Sequence, residues 1–327
     1  MPIPKAELHL HIEGTLEPEL AFQLAHRNNI TLPYPDVQTL RDAYSFTDLQ
    51  SFLDLYYRLM DVLRTEADFH DLATAYLTRA AAQGVRHAEI FFDPQAHTQR
   101  GIPLETVING LTSALDTSLQ DHGISTHLIL CFLRDQSAQE AMDTLDAARP
   151  HLHHITAVGL DSAEVGNPPE KFTEVFQAAA DLGLRRVAHA GEEGPATYIW
   201  NALNHLGAER IDHGIRCMDD PELITHLATT RTPLTVCPFS NVRLRAVPTL
   251  DQHPLPAMMD AGLLVTVNSD DPAYFGGYVH DNYLGLQHHL GLTDEQLRTL
   301  ARNSFTASFL TPERRDALIA QVDAHTF

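Results

Sequence analysis

The sequence is poor in cysteine, in basic residues and in long apolar segments. Its 327 residues include 3 Cys, and 22 Lys plus Arg stand against 43 Asp plus Glu, for a formal net charge of −21. A field of this sign repels a phosphate backbone, which argues against general nucleic-acid binding. No apolar run reaches the length of about 18 residues that a membrane-spanning helix needs, so we expect no contact with the membrane interior.

The three cysteines, Cys131, Cys217 and Cys237, are far apart and form no C-x-x-C pair. This pattern predicts free thiols in a reducing compartment. The first residues lack the charged start and apolar core of a signal peptide, so we expect a cytoplasmic protein. A content of 44% hydrophobic and 20% charged residues is typical of a globular chain. Because no linker-like segment divides the chain, we expect a single domain over residues 1–327.

Short apolar runs alternate with helix-like segments along the chain. The predicted strands are 4–13, 85–93, 126–135, 155–164, 185–193, 210–216, 234–241 and 265–271. Helical spacing of apolar residues marks 48–63, 66–83, 170–182 and 220–229, the last with Asp219 as a candidate N-cap. Eight such alternations predict a (β/α)8 TIM barrel, with a helical insertion after the first strand (14–84) and a helical C-terminal tail (293–327). A doubly wound open sheet is the alternative, but its usual Gly-rich first turn is replaced here by His-Ile-Glu-Gly.

Several ionisable side chains lie at the ends of the predicted strands, where such barrels carry their active sites. His9 and His11 are two residues apart on one strand, so both side chains point to the same face. The other candidates are His189, Glu192, His213, Asp270 and Asp271. Each alone is a weak signal, since loop caps and solvated turns also use these residue types. Their joint occurrence at four strand ends favours a site.

The residue types suit metal-assisted hydrolysis. Imidazole nitrogens and a carboxylate oxygen are ligands for a zinc-like ion that keeps one position open for water: His9, His11, His189 and Asp270. Such an ion lowers the pKa of water towards neutrality. Glu192 is close enough in sequence to a ligand to donate or accept a proton, and His213 is placed to orient the attacking water. The pattern therefore predicts hydrolysis at an electrophilic carbon.

Five stretches carry a resemblance to a known family: PKAELHLHIEGTLEPE, AHAGEEG, RIDHG, TVCPFSN and VTVNSDDPAYFGG. In this order they resemble the adenosine/adenine deaminase family of metal-dependent hydrolases, and GLDSAEVGNPPEKF and NSDDPAYFGGY resemble its adenine deaminase branch. The resemblance implies a (β/α)8 barrel with one Zn²⁺ per chain and hydrolytic loss of ammonia from a 6-aminopurine. It implies that the metal ligands are His9, His11, His189 and Asp270, that Glu192 protonates purine N1, that His213 lies beside the activated water, and that Asp271 recognises N7. The only lysines are Lys5 and Lys171, neither at a late strand end, which favours one metal over a lysine-bridged pair.

Two departures from the adenosine-type pattern bear on the substrate. Glu13 replaces an Asp that contacts ribose, and Glu164 stands where a Gly lies beside purine N3. Free adenine carries a ring N–H that adenosine lacks, and we hypothesise that Glu164 accepts it and obstructs a ribose. This favours deamination of adenine to hypoxanthine and ammonia, a reaction of purine salvage. Adenosine, an N6-substituted adenine and a non-catalytic purine-binding module remain alternatives. The sequence does not determine the oligomeric state, and a homo-oligomer is compatible with it.

Overall fold

A computed structural model describes residues 2–327 and contains one eight-stranded parallel sheet whose strands follow in chain order. The strands are β1 Lys5–His11, β2 Val85–Phe92, β3 Ser125–Leu133, β4 Ile155–Asp161, β5 Arg185–Ala190, β6 Arg210–His213, β7 Leu234–Val236 and β8 Val265–Val267. Every neighbouring pair is parallel. All eight strands therefore end on the same face, and residues far apart in sequence meet there.

The first and last strands meet just beyond the end of β8. Leu10 pairs with Asp270 in a parallel bridge. The His11 amide donates to the Asp270 carbonyl at 3.0 Å, and the Asp270 amide donates to the His9 carbonyl at 3.1 Å. These bonds bring the end of β1 against Asp270 and make the sheet a nearly closed barrel, as predicted.

Helices surround the barrel. They are α1 Pro18–Arg27, α2 Val37–Asp42, α3 Leu49–Leu59, α4 Glu66–Ala82, α5 Pro94–Thr98, α6 Leu104–Leu115, α7 Ser118–His122, α8 Ala138–Ala148, α9 Thr173–Asp181, α10 Ala196–Asn201, α11 Pro221–Thr230, α12 Pro238–Arg243, α13 Leu255–Asp260, α14 Pro272–Phe275, α15 Val279–Leu290, α16 Asp294–Thr306 and α17 Pro312–Asp323. Within residues 2–327, no helix combines the length and the apolar character needed to cross a membrane.

The predicted insertion and tail are confirmed, since α1–α4 lie between β1 and β2 and the chain ends in α16 and α17. The predicted strand ends are too long on their carboxyl side. The run 234–241 is the clearest case, because Pro238 begins a helix instead of continuing β7. The N-cap of α11 is Asp220, not Asp219: the Asp220 carboxylate accepts from the amides of Glu222 and Leu223.

A small apolar cluster fills the inside of the barrel below the candidate site. Its members are Phe91, Ile129, Cys131, Ala157 and Val187. The Phe91 ring packs against His9 and His11, with ring centroids 5.1 and 5.0 Å apart. The two imidazoles therefore pack against tightly packed apolar side chains, which limit their motion.

Candidate active site

The four predicted metal ligands come together at the carboxyl end of the barrel. Ligand atoms of His9, His11, His189 and Asp270 all lie within 4.8 Å of one another, and all four residues are buried. His9 Nε2 lies 3.2 Å from Asp270 Oδ1, and His11 Nε2 lies 3.1 Å from His189 Nε2. Three nitrogens and one oxygen around a common point form the donor set of a site for a zinc-like cation.

The hydrogen bonds behind these rings direct their lone pairs towards that point. His9 Nδ1 donates at 3.0 Å to the Thr235 hydroxyl, which in turn donates at 2.7 Å to Asp212 Oδ1. His189 Nδ1 faces the other Asp212 oxygen at 3.6 Å. A carboxylate behind a ligand histidine orients the ring and raises its basicity.

Two of the ligand rings are held in the neutral form that a metal requires. Burial lowers the pKa of His11 to about 4. Burial and the adjacent imidazoles lower the pKa of His189 well below its ordinary value. Two neutral nitrogens that face each other at 3.1 Å repel unless a proton or a cation lies between them. The residues present therefore fit a divalent cation.

Glu192 and His213 lie next to the ligand cluster. Glu192 follows β5, and His213 is the last residue of β6. His213 Nε2 lies 3.5 Å from Glu192 Oε2 and 3.6 Å from Asp270 Oδ2. Burial, reinforced by the charge of Asp270, raises the pKa of Glu192 well above its ordinary value. A carboxyl group that keeps its proton near neutral pH is suited to general acid catalysis.

A chain of hydrogen bonds fixes the tautomer of His213. The Leu255 amide donates to His253 Nδ1 at 3.1 Å, which leaves the proton on His253 Nε2, 3.1 Å from Asn241 Oδ1. The Asn241 amide nitrogen in turn lies 3.3 Å from His213 Nδ1 and donates to it. His213 therefore carries its proton on Nε2, the nitrogen that faces Glu192 and Asp270. Neither Asn241 nor His253 was predicted: Asn241 ends the predicted run 234–241 but lies in α12, and His253 is not at a strand end.

Three residues around this centre adopt left-handed backbone conformations that L side chains rarely occupy. The φ angles are +71° at Ser162, +61° at His213 and +65° at Asp270. Such strain costs about 1–3 kcal/mol per residue and is kept where the surrounding structure requires it. Here it turns His213 and Asp270 out of their strand directions and into the cavity.

Asp271 enters the cavity beside Asp270, as predicted. Among the described residues, nothing forms a hydrogen bond with its buried Oδ1. Burial and the charge of Asp270 raise its pKa well above the ordinary value. Its close neighbour is Gly14: a Cβ there would lie 2.1 Å from Asp271 Oδ1, so only glycine leaves room for the carboxyl group.

Glu13 is buried beside the cavity but does not line it. Its Oε1 accepts from His97 Nε2 at 2.8 Å and from the Asp93 amide at 3.1 Å. Arg100 donates to the other nitrogen of His97 at 2.7 Å. Glu13 is therefore anchored to the loop after β2 through Oε1, whereas among the described residues its buried Oε2 has no hydrogen-bond partner. The expected contact of Glu13 with the substrate stays a prediction.

Glu164 differs from the expectation. Its two carboxylate oxygens accept four backbone N–H groups at 2.7, 3.1, 2.8 and 2.7 Å, from Gly191, Glu192, Glu193 and Gly194. It does not line the cavity. With four donors on its two oxygens, Glu164 is not free to accept a proton from a purine. It instead fixes the loop that carries Glu192, a contact that sequence spacing could not reveal.

We expect Glu164→Ala to lower kcat for the preferred substrate by about 100-fold, because the general acid loses its support and small misplacements are costly. Four unpaired amides should also reduce the free energy of unfolding by about 3 kcal/mol. The preference between adenine and adenosine should not change. Denaturant unfolding and steady-state kinetics check this, with Glu174→Ala on the exposed face of α9 as the control. A shift in preference towards adenosine would restore the original hypothesis for Glu164.

The cavity beside the His₃Asp cluster is small, with about 30 Å³ of space open to water. Aromatic and aliphatic residues of α3 cover one side of it: Leu49, Phe52, Leu53, Tyr56 and Tyr57. The Tyr57 hydroxyl donates to the Ser162 hydroxyl at 3.0 Å, which joins α3 to the loop after β4. Tyr56 and Tyr57 therefore both belong to the apolar cover of the cavity.

Two acidic residues of the lining, Asp93 and Asp161, were not predicted as site residues. Asp93 directly follows β2, and Asp161 ends β4. Both could have been predicted in the same way as the other site residues, because each lies at the carboxyl end of a strand. Asp161 Oδ2 lies 3.5 Å from His11 Nδ1, so it also stands behind a ligand ring.

Comparisons with known proteins agree with this geometry. The sequence profile of a family described as adenosine deaminase matches residues 4–325. The chain is 68% identical to an adenine deaminase of Streptomyces coelicolor over 329 aligned residues, which cover 100% of this chain and 97% of the relative. A crystal structure of an adenine deaminase from Arthrobacter aurescens is 59% identical, with a TM-score of 0.98 and 98% coverage of both chains. An amidohydrolase from Burkholderia ambifaria, crystallised with bound Zn, is 27% identical, with a TM-score of 0.87 and coverage of 99% and 93%.

Proposed function

Because the chain belongs to the adenosine deaminase family, we propose that it removes the 6-amino group of free adenine by hydrolysis and forms hypoxanthine and ammonia. The observation that carries the proposal is the placement of Glu192 and Asp271 beside a His₃Asp cluster in one buried cavity. Adenine deaminases at 68% and 55% identity over nearly the whole chain support adenine as the substrate. A small purine is therefore the partner that we propose.

We propose that His9, His11, His189 and Asp270 hold one Zn²⁺ per chain. The support is the three-nitrogen, one-oxygen donor set, the neutral state of two of its rings and the zinc present in the Burkholderia amidohydrolase. When bound, the ion activates a water molecule for attack at neutral pH.

The chain's own residues then bind and polarise the base. The Glu192 carboxyl donates its proton to purine N1, which withdraws electrons from C6. The neutral Asp271 carboxyl donates to N7 and fixes the orientation of the ring. His213, with its proton on Nε2, donates a hydrogen bond to the attacking oxygen and stabilises charge that develops there. Water adds its oxygen to C6, and the C6–N bond breaks to release ammonia. One proton of the water goes to the leaving amino group, the other returns to Glu192, and N1 keeps the proton that Glu192 donated.

We also propose that residues 1–327 form one catalytic domain and that the protein is cytoplasmic. The first proposal is supported by the single barrel and by the family match from residue 4 to residue 325. The second is supported by Cys131, Cys217 and Cys237, all of which are buried free thiols.

Turnover of the zinc-loaded protein with adenine, adenosine and N6-methyladenine tests the proposed reaction. Loss of the 6-aminopurine absorbance and release of ammonia are both measured. We expect conversion of adenine to hypoxanthine with little action on adenosine. If the protein prefers adenosine or N6-methyladenine, that compound and not adenine is its substrate. Purine binding without ammonia release would indicate a non-catalytic binding module.

A further inference from the structure

A second acidic group lines the cavity and takes no part in the chemistry described above. It consists of Asp93 and Asp161, each only 2% exposed. Within residues 2–327, Asp93 Oδ1 and both carboxylate oxygens of Asp161 are buried without a hydrogen-bond partner. Buried polar atoms are rarely left unpaired in native proteins, and each such atom calls for an explanation.

The two carboxyl groups lie side by side, behind one of the ligand rings. Atoms of His11, Asp93 and Asp161 lie within 4.8 Å of one another. Two adjacent carboxyl groups in a water-poor site are costly unless a donor lies between them or against them. Lys and Arg do not line this cavity, and His11, whose Nδ1 lies 3.5 Å from Asp161 Oδ2, leaves Asp93 Oδ1 without a donor.

The purine itself has the missing donor. In the proposed reaction, Glu192 binds N1, Asp271 binds N7, and C6 with its amino group faces the attacking water. The remaining polar edge of the ring is N3 and N9. In free adenine this edge carries a ring N–H, whereas in a nucleoside the sugar replaces that hydrogen.

This inference rests on the proposed deamination of free adenine. We propose that Asp93 and Asp161 form the free-base recognition site, in which their unpaired carboxylate oxygens accept the ring N–H at the N3/N9 edge. The site discriminates in two ways. An N9-substituted purine leaves the carboxylates without a donor, and its substituent competes for space in a cavity whose lining also includes the hydrogen-bonded pair Tyr57 and Ser162.

The position of Asp93 is supported by rigid contacts. Its amide donates to Glu13 Oε1, which is held in turn by His97. Glu13 thus acts as a positioning residue for Asp93. The proposed acceptors for the free base, Asp93 and Asp161, therefore lie at the ends of β2 and β4. Glu164, which follows β4, instead binds the backbone of the loop that carries Glu192.

Kinetics with adenine and 9-methyladenine test the proposal, since the two differ only in replacement of the ring N–H by a methyl group. For the wild-type protein we expect kcat/KM to be about 10,000-fold higher for adenine, because a site built for an N–H rejects the analogue that lacks it. In Asp93→Ala we expect this ratio to fall by about 100-fold or more, because the acceptor is lost and space opens at N9. Asp93→Asn keeps a carbonyl acceptor and nearly the same volume, so its ratio should lie between those of the wild type and the alanine variant. The exposed Asp135→Ala is the control and should keep the wild-type ratio.

Metal content is measured for every variant, and assays contain saturating zinc, so that an effect through His11 is separated from recognition of the base. A wild type that deaminates both purines equally well, or an Asp93→Ala protein with full zinc and an unchanged ratio, would overturn this inference and leave the proposed reaction intact. A wild type inactive on adenine would overturn both. If Asp93→Ala does not fold, the Asp93→Asn ratio decides.

Discussion

Glu192→Gln should lower kcat for adenine by about 1,000-fold while KM changes little. The amide can still donate a hydrogen bond to purine N1, so ground-state binding is preserved. It cannot release a proton to N1, and general acid catalysis contributes about 100- to 10,000-fold. A variant that loses kcat and keeps KM has lost an interaction made only in the transition state.

The adjacent Glu193 provides the control, because it lies on the same loop but does not line the cavity. Glu193→Gln should keep kcat within about threefold, as expected for a partly exposed side chain without a catalytic contact. Equal losses in the two variants would show that the loop is merely perturbed. Near-wild-type activity of Glu192→Gln would remove Glu192 from the role of proton donor.

Asp270→Asn should weaken zinc binding and lower kcat/KM by at least about 1,000-fold, since a metal ion supplies several kcal/mol of transition-state stabilisation. The substitution is chosen for the backbone: φ is +65° at Asp270, and asparagine tolerates this left-handed conformation. The variant therefore loses the anionic ligand without added strain. Circular dichroism and thermal unfolding should remain close to those of the wild type.

Metal analysis of the purified proteins provides the direct measurement. We expect one zinc per wild-type chain, far less in Asp270→Asn, and a full complement in the exposed control Asp260→Asn. Chelation should abolish wild-type activity, and added Zn²⁺ should restore it. Two zinc ions per chain would contradict the single site and direct attention to His87, Glu89 and the half-buried His127, a second group whose atoms lie close enough to hold an ion. Full activity after complete removal of metal would refute the metal-dependent mechanism.

The barrel and the His₃Asp cluster could be predicted because they follow from regular structure. Eight Val-, Ile- and Leu-rich runs predict buried parallel strands, and parallel strands in one barrel end on a common face. His9 and His11 are two residues apart on β1, so the alternation of strand side chains puts both on the same side. These steps need only local pattern and topology.

The contacts of the irregular loops could not be predicted in this way. Glu164 is bonded to amides 27 to 30 residues further along the chain, in a loop whose path the local sequence does not determine. Glu13 is bonded to His97, 84 residues away. For such residues the sequence indicates which loop they occupy but not the direction of the side chain, and the same residue type serves equally well as a ligand contact or as a backbone anchor.

By itself, the sequence determined a barrel with a His₃Asp cluster, a nearby acid and a second carboxyl group, because strand periodicity and strand order fix where these residues meet. Only the tertiary structure decided which of the remaining acids reach the cavity. It turned Glu164 and Glu13 into anchors, since backbone N–H groups and His97 bind their carboxylates, and it left Asp93 and Asp161 unpaired beside His11. The physical reason is that buried carboxylates must find donors, and which donors are within reach depends on the packing of loops that are distant in sequence.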